Sequence, residues 1–141
     1  MVRPLVPDTT AFVEAIRQGR QSFFEAVLRG QVWISAVVAC ELYAGTRSQR
    51  EARLVDQLVG GAASRQRLLV PTMEDWARAG QLLGRRARLE GALHPRDHLA
   101  DVLIVVSAGR LGGEIMTANR GHFERWTELA RRGGLDVVLH A

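Results

Sequence analysis

Three acids in this chain stand in apolar company. Asp8 follows Leu5, Val6 and Pro7. Glu41 lies in VVACELYAG (37–45) and Asp101 in LADVLIVVSAG (99–109), stretches that carry no other charge. Burying a carboxylate uncompensated costs several kcal/mol or forces it to take up a proton. No arginine lies one helical turn from Glu41, and Asp101 has only Asp97 at that spacing. Taken singly, each acid has a bland explanation as a helix cap or as a group satisfied by backbone amides. Asp101 near a helix start also suits the helix dipole. Taken together, they point to one cluster. Clustered carboxylates repel one another unless a cation neutralises them, and hard oxygen donors suit Mg²⁺ or Mn²⁺, which keep several waters. Such a cluster can activate water and clamp a phosphodiester for in-line displacement.

The elements that would position these acids alternate between strand and helix. Residues 5–7 form a short apolar strand. Thr9 and Thr10 open a helix that stops at Gly19, and a second helix covers 21–28. VWIS (32–35) reads as a buried strand, with Ser35 capping a helix over 36–45. Residues 48–59 are amphipathic, and RLLVP (67–71) is a further strand. Thr72 and Asp75 form a capping box for a long helix over 73–90, ended by Gly91. HPRD (94–97) reads as a turn before a helix from Asp97 to Arg110. A strand over 114–118, a helix over 121–132 and a strand over 135–140 complete the chain. This order predicts an α/β fold: a three-layer α/β/α sandwich around a central, mostly parallel sheet, forming a single domain over residues 1–141. In such sheets function collects at the carboxyl ends of the strands. Asp8 closes the first strand, Glu41 lies a turn or two beyond the second, and Asp101 lies in the first turns of the helix before the fourth. With the first strand central, all three meet at one edge, where Asn119 also arrives.

Composition narrows the chemistry. The 141 residues include 19 basic ones, every one an arginine, and a single cysteine, Cys40. The absence of lysine removes Schiff-base, P-loop and Ser-Lys chemistry. One cysteine excludes disulfide scaffolds and multi-cysteine zinc sites. The net charge of +4 fits a polyanionic partner and equally fits plain solubility. No signal peptide or membrane-length apolar run is visible, so a cytoplasmic protein is expected.

Four blocks together resemble the PIN-domain family, and within it the VapC-type toxin ribonucleases of toxin–antitoxin pairs. They are VPDTTAFVEAI (6–16), ISAVVACELYAG (34–45), ADVLIVVSAG (100–109) and IMTANRGHF (115–123). The resemblance implies a Mg²⁺- or Mn²⁺-dependent endoribonuclease that cuts structured RNA such as tRNA, dimerises, and is held in check by a small cognate antitoxin. It assigns Asp8, Glu41, Asp101 and Asn119 to the family's four acidic positions and Thr117 to the hydroxyl before the last. Asp8 and Asp101 would be the main metal ligands. Glu41 would ligate through water or orient the attacking water, and Asn119 would complete the shell. Thr9, Thr10 and Thr117 would hold the carboxylates.

The chain departs from the family pattern in three places. Asn119 is neutral, and Asp97, one turn before Asp101, is a candidate for the missing carboxylate, with an N-cap after Pro95 as its plainer role. His122 stands where many relatives carry an acid and reads as peripheral. Pro7 before Asp8 is unusual but suits an extended strand end. Two rival readings stay open: a non-catalytic RNA-binding module of the same fold, and a nuclease directed at DNA.

Other signals carry less. His94 and His98 flank Pro95 without a third ligand, which argues against zinc. Cys40 reads as packing, and the scattered tryptophans as core or interface. Arg78, Arg85, Arg86 and Arg88 form either a solvated face or a phosphate-contacting rim.

Overall fold

A computed structural model describes residues 2–141. Among the described residues, five short strands and seven helices follow in the order β1 (Leu5–Pro7), α1 (Thr9–Gln18), α2 (Gln21–Leu28), β2 (Ile34–Ser35), α3 (Ala36–Ala44), α4 (Gln49–Ser64), β3 (Leu68–Leu69), α5 (Met73–Glu90), α6 (Pro95–Arg110), β4 (Glu114–Met116), α7 (Arg120–Arg132) and β5 (Val138–Leu139), one or two helices after each of the first four strands. β1, β4 and β5 form one parallel sheet, and β2 and β3 another. The Trp33 amide donates to the Leu5 carbonyl at 2.9 Å and joins the two. The spatial order is therefore β3-β2-β1-β4-β5, with β1 central, as the sequence reading supposed.

Two groups of helices cover the strands. α1 to α4 pack among themselves, α5 to α7 do likewise, and α3 meets α6 between them. α6 is the pivot of the core: every side chain from Val102 to Ala108 is buried, as expected of a helix apolar all round. Trp126 and Phe123 of α7 close against it.

Local differences from the sequence reading have physical causes. α4 runs on through Gly60 and Gly61 to Ser64, and at Gly61 α2 approaches closely: a Cβ there would stand 2.5 Å from Leu28 Cδ2. α6 begins at Pro95, two residues earlier than expected, because proline is well suited to the first helical position, where its missing N–H has no partner to lose. His94, and not Asp97, is its N-cap. Gly19 ends α1 in the left-handed region, φ 60°, where its amide reaches back to Ile16 and glycine pays no Cβ penalty. The second, third and last strands shrink to two residues each and the fourth to three, their flanking residues serving as connections.

Candidate active site

Asp8 is the N-cap of α1 and is only 3% exposed. Its carboxylate is held from three sides. Oδ1 accepts from the Thr10 hydroxyl at 2.7 Å and from the Ala11 amide at 3.0 Å. Oδ2 accepts from the Thr117 hydroxyl at 2.8 Å. Those hydroxyls in turn accept backbone amides, Thr10 from Ala118 at 3.1 Å and Thr117 from Asn119 at 2.9 Å. With both protons directed at Asp8, the 3.2 Å approach of the two hydroxyls has no proton left to share. The loop after β4 is thereby fastened over the end of β1, and no arginine takes part. A carboxylate offers about four lone-pair sites, so Asp8 keeps room for another electrophile.

Glu41 corrects the expectation of a buried acid. α3 is apolar along its length, yet Glu41 is on its exposed side, as is Cys40, which is not packing in the core. The Thr9 hydroxyl donates to Glu41 Oε1 at 2.7 Å, which ties α1 to α3. A cavity of about 330 Å³ opens beside these two residues, lined also by Val13, Arg17, Arg47 and Glu51.

Asp101 is half-buried in the second turn of α6. Burial pushes its carboxyl above the usual carboxylate range; His122 opposes this, and the charges of Glu41 and Asp8 raise it further, with His98 opposing in turn. The three acids thus lie within electrostatic reach of one another, with no arginine paired to any of them among the described residues. Asn119, the N-cap of α7, makes no side-chain capping bond, so its amide is not consumed by its own helix. Asp97 is exposed in the first turn of α6, where an acid favours the helix dipole, and its side chain makes no ion pair with the described residues.

Three residues that matter to this edge escaped the sequence reading. His122, read as peripheral, places Nδ1 3.9 Å from Asp101 Oδ2. Arg17 and Arg47 line the cavity at Glu41 and make no ion pair with the described residues. The contacts arise between elements far apart in sequence, and no spacing announces them. By contrast, two arginines of the long helix are engaged elsewhere: Arg78 pairs with Glu74, and Arg86 lies over the Trp126 ring and pairs with Glu90.

The donor set fits a hard divalent cation in chemistry: oxygens, an acid excess and no internal cation. No three of the described acids, histidines and cysteine stand close enough to grip one ion directly. A cation here would be held by one or two carboxylates with water completing the shell, the mode Mg²⁺ prefers.

The chain matches the PIN domain over residues 5–129 and belongs to that family. In fold it is similar to a chain of DNA-bound VapBC from Salmonella typhimurium, at 22% identity and a TM-score of 0.66, covering 99% of this chain and 98% of that one. It is likewise similar to a chain of FitAB bound to an IR36 DNA fragment, at 17% identity and 0.65, covering 96% and 93%. A third similar chain is from VapBC2 of Rickettsia felis bound to a promoter DNA fragment, at 20% and 0.65, covering 99% and 98%. No curated protein matches the sequence at a significant level.

Proposed function

We propose that this chain is a Mg²⁺- or Mn²⁺-dependent endoribonuclease, the toxin of a VapBC-type toxin–antitoxin pair, acting on structured RNA such as tRNA, and that residues 1–141 work as one such domain. What supports this reading is that Asp101 is half-buried within reach of the charges of Glu41 and Asp8, with no arginine paired to any of the three among the described residues. Membership of the PIN family supports it.

In this reading Asp8 and Asp101 hold the cation, Glu41 ligates through water or orients the attacking water, and Asn119 completes the shell through its free carbonyl. The bound metal supplies charge neutralisation and an activated water. Thr10 and Thr117 keep both oxygens of Asp8 fixed, and Thr9 holds one oxygen, Oε1, of Glu41. Arg17 and Arg47 are placed to grip backbone phosphates beside Glu41, with planar guanidinium groups suited to bidentate contact. The VapBC and FitAB names of the similar chains support a cognate antitoxin protein. The exposed apolar side chains of Val70, just before α5, and of Met73 and Trp76 in its first turn support a homodimer. No helix of the described residues is long and apolar enough to cross a membrane, which agrees with a cytoplasmic site of action.

Purified protein with Mn²⁺ is expected to cut tRNA and to leave single-stranded DNA of equal length largely intact, and Asp101→Asn is expected to stop the reaction. Wild-type rates in Asp101→Asn would overturn the assignment. Preferential cutting of DNA would favour the DNA-directed reading. RNA binding without cutting or metal uptake would favour the non-catalytic module, for which the lack of a closed ligand set is the supporting observation.

A further inference from the structure

His122 belongs to the first turn of α7, three residues beyond the N-cap Asn119. Its Nδ1 lies 3.9 Å from Asp101 Oδ2. That separation is too long for a hydrogen bond. Two donors bonded to one ion at about 2.1 Å each stand about 3 to 4 Å apart, depending on the angle between them. The His122 ring makes no hydrogen bond with the described residues, and its side chain is 66% exposed, free to turn. The other imidazole acting on Asp101, that of His98, rests against the buried Trp126 ring with centroids 5.5 Å apart. His122 is therefore the imidazole available to the acidic edge.

We propose that His122 supplies a nitrogen donor to the cation held at Asp101, with Asp8 reaching it through water, and so tilts the site toward Mn²⁺ over Mg²⁺. The inference rests on the metal-dependent reading above. Its chemistry follows from donor softness: carboxylate and water oxygens serve Mg²⁺ and Mn²⁺ alike, whereas an imidazole nitrogen favours the transition ion. It also gives a role to a site whose fourth family position, Asn119, is neutral. The nitrogen offsets the missing carboxylate as a donor without restoring its charge.

The test is binding of Mn²⁺ alone, followed by calorimetry and by pulsed electron paramagnetic resonance, on wild type, His122→Asn and His122→Asp. The wild type is expected to show coupling of bound Mn²⁺ to a histidine nitrogen. His122→Asn should lose that coupling and about tenfold in Mn²⁺ affinity, with Mg²⁺ affinity changed less than about twofold. His122→Asp should regain affinity without the nitrogen signal and narrow the preference for Mn²⁺. Because His122 is exposed, all three should share one unfolding midpoint. Bound Mn²⁺ with no nitrogen coupling, or coupling that persists in His122→Asn, would overturn the role of His122 and leave the metal-dependent reading standing. No Mn²⁺ uptake by any of the three in the millimolar range would overturn that reading and this inference with it.

Discussion

Asp8 and Asp75 face the same physical problem and solve it differently. Each sits at the start of a helix, and each is almost wholly buried, at 3% and 2% exposure. Asp75 completes a capping box with Thr72 and receives the Arg110 guanidinium at 3.1 Å. Its charge is cancelled within the chain. Asp8 receives two hydroxyls and an amide but no cation. Hydrogen bonds from neutral donors steady a carboxylate without removing its charge, and Glu41 and Asp101 add to that charge nearby. The α5–α6 junction is finished by folding. The strand-end edge keeps its charge unpaired by any arginine of the described residues.

This contrast can be broken or sharpened by mutation, with stability measured by urea unfolding. The largest loss is expected at Asp75. Asp75→Ala strands Arg110 and removes a cap, and should cost about 3 kcal/mol, the low end for a buried pair because Arg110 is partly exposed. Next comes Thr117→Val, which leaves a buried carboxylate oxygen short of its donor and should cost about 1–2 kcal/mol. The same variant should also lose about tenfold in Mn²⁺ affinity, as when a group that orients a ligand is removed. Asp8→Asn should change stability by less than about 1 kcal/mol, because asparagine caps a helix as well as aspartate does and the burial of charge is relieved. A loss at Asp8 as large as that at Asp75 would erase the contrast.

The smallest effect is expected at an exposed pair, Glu90 with Arg125. The Arg125 guanidinium holds the Glu90 carboxyl below its ordinary value of 4.5. A depressed folded value means that the pair stabilises above the unfolded value and that this is lost as pH falls through the folded one. Wild type should therefore exceed Glu90→Gln slightly in unfolding midpoint at neutral pH. The gap should close as pH falls below 4.5, and high salt should shrink it throughout.

The sequence exposes what local rules decide. A strand leading into Asp8, the glycine stop at Gly19 and the Thr72–Asp75 box are all legible from neighbours in the chain. It hides what only packing decides. α3 is apolar on every side, so its pattern could not show that Glu41 and Cys40 face outward. The Asp75–Arg110 pair spans α5 and α6, and the approach of His122 to Asp101 spans α6 and α7. Neither follows from any periodicity. The hydroxyls on Asp8 came into view only through a family resemblance, since a threonine after a strand is more often a cap than a clamp.

The central claim is that the uncompensated acids make a metal-dependent ribonuclease centre. Its most direct test is the cleavage rate of purified tRNA with Mn²⁺, for wild type and for Asp8→Asn, each with and without excess chelator. Cutting by wild type alone, abolished by chelator, with Asp8→Asn folded but inactive, is the predicted result. Cutting that survives in Asp8→Asn or in chelator would contradict the account.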